Sequence, residues 1–318
     1  MNTRNKLLQK MQKNLHLPGS RLLEKATHSF SKTEKVIFFV LLFIFVISTT
    51  ILLFRVNDAF LVEIPMKGGT IVEGVVGTTP PKINPVASSS FTSPATESDL
   101  IMLVYSGLMK ITPNGKLSTD LAKSYKISED GLTYTFALKD DLVWHDGAPL
   151  TSEDVQFTIQ KAQDPEINSR NQASWDGVTV EIPNLKTVVF TLTEPYAPFL
   201  QNTTLGIIPK HKWKEVHPEN FADSHLNISP TGSGPYYVEK VKTNKNGTVE
   251  HYDLKAFKHY ALGEPFIQNV RVKFFSHEKD LIEAYKKGDV TSMGSISPDQ
   301  AILLTEDHRI ESMHLPRI

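Results

Sequence analysis

The sequence predicts a mixed α/β (α+β) body behind a single membrane-spanning helix, and three observations carry that prediction. Residues 36–54, VIFFVLLFIFVISTTILLF, run for nineteen residues without a charge, a Pro or a Gly. At ~1.5 Å per residue the run spans ~28 Å, the thickness of a bilayer's hydrocarbon core. Downstream, period-two stretches such as Leu132-Thr-Tyr-Thr-Phe-Ala-Leu138 read as half-buried strands. Between them lie helical stretches with their own start and stop signals, and interleaved strands and helices define the class.

The apolar run reads as a retained anchor. A secretory leader has a shorter apolar region and small residues at its cleavage site, whereas Arg55-Val56-Asn57-Asp58 follows here. Residues 1–35 form a basic segment with net charge +6, and the remainder carries about −7. The positive-inside rule then places the N-terminus in the cytoplasm and the main domain outside, periplasmic or extracellular. This makes the protein single-pass, in contact with the lipid bilayer through 36–54, with 55–66 as a linker. An acidic outer part excludes a nucleic-acid role. The absence of cysteine removes disulfides, thiolate catalysis and lipid-modified cysteine tethers.

The elements follow in order. Gly69–Gly77 is a first strand, β-branched and bounded by glycines. Thr78–Ser93, rich in Pro, Ser and Thr, is an ordered loop. Glu97–Leu108 is a helix by its apolar spacing, and Thr112-Pro-Asn-Gly115 a turn. Thr151-Ser-Glu-Asp154 is a capping box that opens a helix through Gln163, stopped by Pro165. Val178–Ile182 and Thr187–Leu192 pair around Pro183-Asn184, and Pro195–Leu200 is a short helix. Pro230–Pro235 is a tight loop before strand Tyr236–Val241. Asn246-Gly247 marks a hairpin to Val249–Phe257. Strand Val270–Phe275, helix Glu278–Lys287 closed by Gly288, and a helix from Pro298 complete the chain.

Catalytic patterns are absent. The carboxylate pairs Glu129/Asp130, Asp140/Asp141 and Glu153/Asp154 sit at turns and helix starts, where caps and solvated charges are the rule. His145 beside Asp146 reads as part of a turn that buries Trp144. His211, His217 and His225 match no zinc spacing. No nucleophile elbow, phosphate loop, zinc-protease motif or calcium loop occurs. Gly232-Ser-Gly234 lacks a third glycine and a following helix, so it suits close backbone approach to a ligand better than a phosphate cradle. A tethered body without catalytic motifs reads as a binding module.

The combination goes further. Leu121-Ala-Lys-Ser-Tyr-Lys-Ile-Ser-Glu-Asp-Gly-Leu-Thr-Tyr-Thr-Phe-Ala-Leu-Lys139, followed by Trp144-His-Asp-Gly-Ala-Pro-Leu-Thr-Ser-Glu-Asp-Val155, resembles the extracellular solute-binding proteins of family 5. Gly68–Gly74, Ile83-Asn-Pro85, Val104–Leu108, Thr187–Leu192, Pro195–Leu200 and Thr231–Tyr236 fit the same family in the same order. The resemblance covers roughly 67–318. It implies a periplasmic-binding-protein-like type II lobe, with a first lobe at 67–97 and 209–318 and a small inserted subdomain at 98–208. It implies a peptide-binding receptor for an ABC importer, partnered by membrane permease subunits and indirectly by a cytoplasmic ATPase, with no catalytic residue and no cofactor. Members usually continue into a second large lobe near Arg317-Ile318, so the resemblance also implies a fragment or a half-receptor with an exposed sheet edge.

By position in the family pattern, the ligand-facing candidates are Asn84, Tyr105, Gly107, Leu108, Gly232, Ser233, Gly234 and Tyr236, with Trp175 as a stacking face. Core packing and structural turns are the alternative readings of these same residues. Other functions stay open: a receptor for a nickel chelate or an oligosaccharide, a surface or adhesion protein that reuses the fold, or a hydrolase.

Overall fold

The computed structural model describes residues 31–60, 66–77, 82–87, 94–294 and 296–305. It separates into two compact units, 1–65 and 66–318. Most of Thr78–Ser93, and the basic segment before Ser31, lie outside the described residues.

In the first unit α1 (Lys32–Phe60) is one continuous helix. Its apolar span, Lys32–Asn57, is long enough to cross a membrane, and none of its most apolar stretch is buried in the protein. The helix continues six residues past Phe54, so the linker expected from residue 55 starts later. Nothing between Arg55 and Phe60 breaks a helix: there is no Pro or Gly. Within the span Thr49 and Thr50 return their hydroxyls to the carbonyls of Phe45 and Val46, each at 2.8 Å, so neither presents an unsatisfied donor.

The second unit begins with β1 (Gly68–Val76), α2 (Pro94–Val104), the short hairpin β2 (Met109–Ile111) and β3 (Leu117–Thr119), then β4 (Ala122–Ile127) and β5 (Thr133–Leu138). Next come α3 (Ser152–Gln163), α4 (Gln172–Trp175), β6 (Thr179–Asn184), β7 (Thr187–Thr191), α5 (Phe199–Asn202) and α6 (Lys210–Trp213). It closes with β8 (Tyr236–Thr243), β9 (Val249–Ala256), β10 (Ile267–Phe275), α7 (Glu278–Lys287), β11 (Ser292–Gly294) and α8 (Pro298–Thr305).

Two main sheets result. One has the order β11-β1-β10-β9-β8, with β1 parallel to both β10 and β11 and the rest antiparallel. The other has the order β4-β5-β7-β6 and is antiparallel throughout. The first draws its strands from 68–76 and 236–294, the second from 122–191. A single continuous core nevertheless runs from Val75, Tyr252 and Val272 in the first to Phe136, Val188 and Phe190 in the second.

Local chemistry explains the elements. On β5 Tyr134, Phe136 and Leu138 point inward and are buried, as the alternation requires. The Thr151 N–H donates to the Asp154 carboxylate at 2.9 Å, and Thr151 Oγ1 accepts from the Glu153 N–H at 3.3 Å, which completes the box that starts α3. Asp154 also accepts the Lys210 N–H at 3.0 Å, so the same cap anchors α6. Gly288 ends α7 in the left-handed region with φ 79°, a conformation a Cβ would strain. Leu281 and Ala284 on α7 pack with Val290 over Val72, Val76 and Phe275, on the sheet face opposite the main core.

Two of the helices expected in the second unit also differ from expectation. α2 ends at Val104, not Leu108, because residues 105–108 leave the helix to pair with distant loops. The helix expected from Pro195 forms only at Phe199–Asn202 with Pro198 as its N-cap, since a residue before proline is disfavoured from helical geometry and Ala197 precedes Pro198.

An aromatic knot locks the second sheet. Trp175 lies 5.5 Å from both Phe190 and Phe199, Tyr134 lies 4.7 Å from Phe199, and Phe136 lies 5.7 Å from Phe190, all by ring centroids. Such spacings suit edge-to-face attraction on top of apolar burial. Trp175→Ala is expected to lower the unfolding free energy by about 3–5 kcal/mol in urea titration. Tyr196→Ala, at a half-exposed ring, should change it by less than about 0.5 kcal/mol.

Candidate functional site

Where α2 ends, four chain segments meet: 104–109, the 144–147 turn, 203–208 and 232–235. The Gly234 N–H donates to the Val104 carbonyl at 2.8 Å and the Ile207 N–H to the Ser106 carbonyl at 2.9 Å. The Met109 N–H reaches Thr203 at 3.1 Å, and the Asp120 N–H reaches Leu108 at 2.9 Å. The backbone groups that leave α2 are thus paired without a ladder. The approach is so close that only glycine fits. A Cβ on Gly232 would overlap the Val104 carbonyl oxygen, and one on Gly234 would lie 2.6 Å from the Val104 carbonyl carbon.

His145 fixes this loop with three hydrogen bonds. Its backbone N–H donates to the Gly232 carbonyl at 2.9 Å. Its Nδ1 accepts the Gly232 N–H at 3.1 Å, and its Nε2 lies 3.0 Å from the Gly234 carbonyl. A backbone N–H can only donate, so Nδ1 carries no proton, and Nε2–H is the donor to Gly234. The ring is therefore neutral. Its edge-to-face contact with Phe257, at 4.8 Å, completes an apolar surround. Burial accordingly lowers the His145 pKa to about 4, against smaller opposing effects of the Gly234 carbonyl and Asp146. Burial also tends to raise the neighbouring Asp146, but hydrogen bonds from His211 and Lys212 outweigh it and hold that carboxyl at about 2.

A second polar group lies beside the junction. Asp120 is buried, which raises its pKa, while hydrogen bonds from Ser106 and Tyr260 and the charges of Lys110 and Lys139 act against that rise. Lys139 donates to the Ala261 carbonyl at 3.1 Å. No group of three or more His, Cys, Asp or Glu placed to hold a metal ion occurs among the described residues.

The structure brings Tyr105, Gly107, Leu108, Gly232, Ser233 and Gly234 together at the junction, all buried. The Tyr105 hydroxyl has no hydrogen-bond partner among the described residues, and burial raises its pKa. The Ser233 carbonyl lies 3.5 Å from the Ser106 hydroxyl. Tyr236 opens β8 and donates its hydroxyl to the Ile267 carbonyl at 3.0 Å. Asn84 stands in a different arrangement. It is buried, caps the N–H groups of Val86 and Ala87 and donates to Asn227 at 2.8 Å. Trp175 requires a correction: its ring is enclosed by Phe190 and Phe199 and is 1% exposed, so neither face is open for stacking. His145 is the residue that sequence reasoning passed over. Its signal, the Trp-His-Asp-Gly turn, is visible, but its partners lie 87 and 89 residues away.

The His145 arrangement has a pH signature. Because the folded-state pKa is depressed below ~6.5, the unfolded chain binds the extra proton between those values. Stability from this group is complete above about pH 6.5 and is lost as pH falls toward 4. Thermal melts across that window should show a steeper loss for the unaltered chain than for His145→Gln. Equal slopes would contradict the assignment.

The comparisons with known proteins agree with this architecture. A Brucella ovis protein described as an ABC transporter peptide-binding protein is 34% identical over 174 residues, 54% of this chain and 32% of that one. NikZ from Campylobacter jejuni, solved with Ni(L-His), superposes with TM-score 0.64 at 32% identity, covering 75% of this chain and 45% of that one. The oligopeptide-binding protein AppA of Bacillus subtilis, solved with a nonapeptide, gives TM-score 0.65 at 25% identity, covering 77% and 47%. The chain thus spans about a third of the Brucella relative and about half of each of these structures. The family model for bacterial extracellular solute-binding proteins, family 5 (middle), matches residues 116–315, well over half of the chain. The chain belongs to the bacterial extracellular solute-binding proteins of family 5.

Proposed function

We propose that this protein is a membrane-anchored, extracytoplasmic receptor for di- or oligopeptides that delivers its ligand to the permease subunits of an ABC importer. The observation that carries the reading is the 34% identity over 174 residues to a relative described as an ABC transporter peptide-binding protein. The apolar, unburied α1 supports retention at the membrane with the N-terminus in the cytoplasm. In this reading the receptor performs no catalysis, as in the family of solute-binding proteins to which the chain belongs.

The junction would form a rigid wall of the ligand cleft. In this reading Tyr105, Gly107, Leu108, Gly232, Ser233, Gly234 and Tyr236 shape that wall, and Asn84 holds the loop beside it. Their burial suits a supporting role in which side chains fix the backbone that meets the ligand. Such a receptor encloses an extended peptide between lobes and pairs with its main chain. The division into a first lobe, 67–97 and 209–318, and an inserted lobe, 98–208, is supported by the origin of the two sheets.

A nickel-chelate receptor is the second reading, favoured by the likeness to NikZ. Isothermal titration of the detergent-solubilised chain separates the two. Saturable heat with peptides of two to nine residues, and none with Ni(L-His), is the expected outcome. Heat with the chelate alone would replace the peptide reading, and no heat with either would contradict both.

A further inference from the structure

The loop between β9 and β10, residues 257–266, combines exposed apolar side chains with cations at the point where the domain begins. Leu262 is 41% and Phe266 55% exposed, and Met66 is exposed beside them in the fold. The Gly68 N–H donates to the Phe266 carbonyl at 2.7 Å, which ties the start of the domain to this loop. Lys67 pairs with Glu264 at 2.7 Å, neutralising the loop's acidic residue, and Lys258 and His259 are exposed. The loop is firmly held from within. Lys139 donates to the Ala261 carbonyl at 3.1 Å, Gly263 N–H closes a turn onto Tyr260 at 2.9 Å, and Phe257 is buried under His145.

Single exposed apolar residues are ordinary. Three at one tip, bordered by Lys67 and Lys258 on a domain that is otherwise acidic, form the pattern of an interfacial membrane contact: apolar groups enter the headgroup boundary while lysine stems reach the anionic headgroups. The tether supplies the surface. Eight residues, 58–65, separate Asn57, the end of the apolar span, from Met66. Even fully extended they reach only ~30 Å, so this tip is always within reach of the bilayer that holds α1.

We propose that the 257–266 tip, with Met66 and Lys67, docks on the phospholipid surface of that same bilayer. The contact rests on the reading of α1 as a retained anchor. It orients the receptor, because the Gly232–Gly234 loop is joined to the tip directly: the Phe257 N–H donates to the Pro235 carbonyl at 2.8 Å.

The chain has no cysteine, so a single introduced thiol carries a unique label. The full chain is placed in nanodiscs of phosphatidylcholine and phosphatidylglycerol with brominated acyl chains, labelled with bimane at Leu262→Cys or at Asn246→Cys. Asn246 lies in the hairpin turn at the far end of β9, an eight-residue strand, so it stands ~25 Å from the tip. A label seated ~5–10 Å into the interface should lose about half or more of its emission at 262 and almost none at 246. Adding Phe266→Ser and Lys258→Glu should restore emission at 262. Co-migration with the nanodiscs and equal emission at both positions would overturn the docking while leaving the anchor intact. Failure to co-migrate with nanodiscs at all would overturn the anchor and the docking together.

Discussion

The carbonyl of Val104 and the two glycines pressed against it are the constraint on which the rest of the second unit depends. At that point α2 has ended, and its last carbonyls need partners that the helix cannot supply. The Gly234 N–H provides one at 2.8 Å. The contact is possible only without a Cβ at 232 or 234. Once that contact is made, the segment 105–109 is free to pair with 203–207 and with 120–121, and the two sheets are brought onto one core.

His145 converts a close contact into a defined one. A loop containing two glycines has more conformational freedom to lose than most. Three hydrogen bonds from one residue, two from the ring and one from the backbone, select a single arrangement. They do so only while the ring is neutral, because a charged imidazole has no acceptor for the Gly232 N–H. Under the proposed function such stiffness would serve binding, because less ordering remains to be done when a ligand arrives. The same loop passes through Pro235 and Phe257 to the tip beside the domain's first residues, so the glycine loop and that tip share one support.

What the sequence made legible follows from the range of each signal. Alternation on β5, the Thr151 capping box, the Asn246-Gly247 turn and the Gly288 stop are all local, and each is observed. β4 gave no signal because it is an edge strand with exposed side chains from Lys123 onward, so it has no buried face to alternate. β11 is three residues long and exists through pairing with β1, more than 200 positions earlier. The candidate site shows the same division. The glycines of 232–234 stand out in the sequence, but their partner His145 does not, because nothing local distinguishes a histidine in a turn from one that binds a distant loop. Nothing within Ala173-Ser-Trp-Asp-Gly177 reveals that Trp175 is enclosed, because the rings that cover it come from 190 and 199.

The central claim, that one junction holds the ends of α2, the 203–208 segment and the glycine loop in a single rigid arrangement, is tested most directly by amide hydrogen exchange. The relevant amides are Gly234, Ile207 and His145, bonded to the carbonyls of Val104, Ser106 and Gly232. The account predicts that they exchange as slowly as the β9 and β10 amides of the central sheet, since both are lost only when the core opens. Exchange at the rate of the exposed 244–247 turn would contradict it and would make the glycine loop an independent, mobile segment.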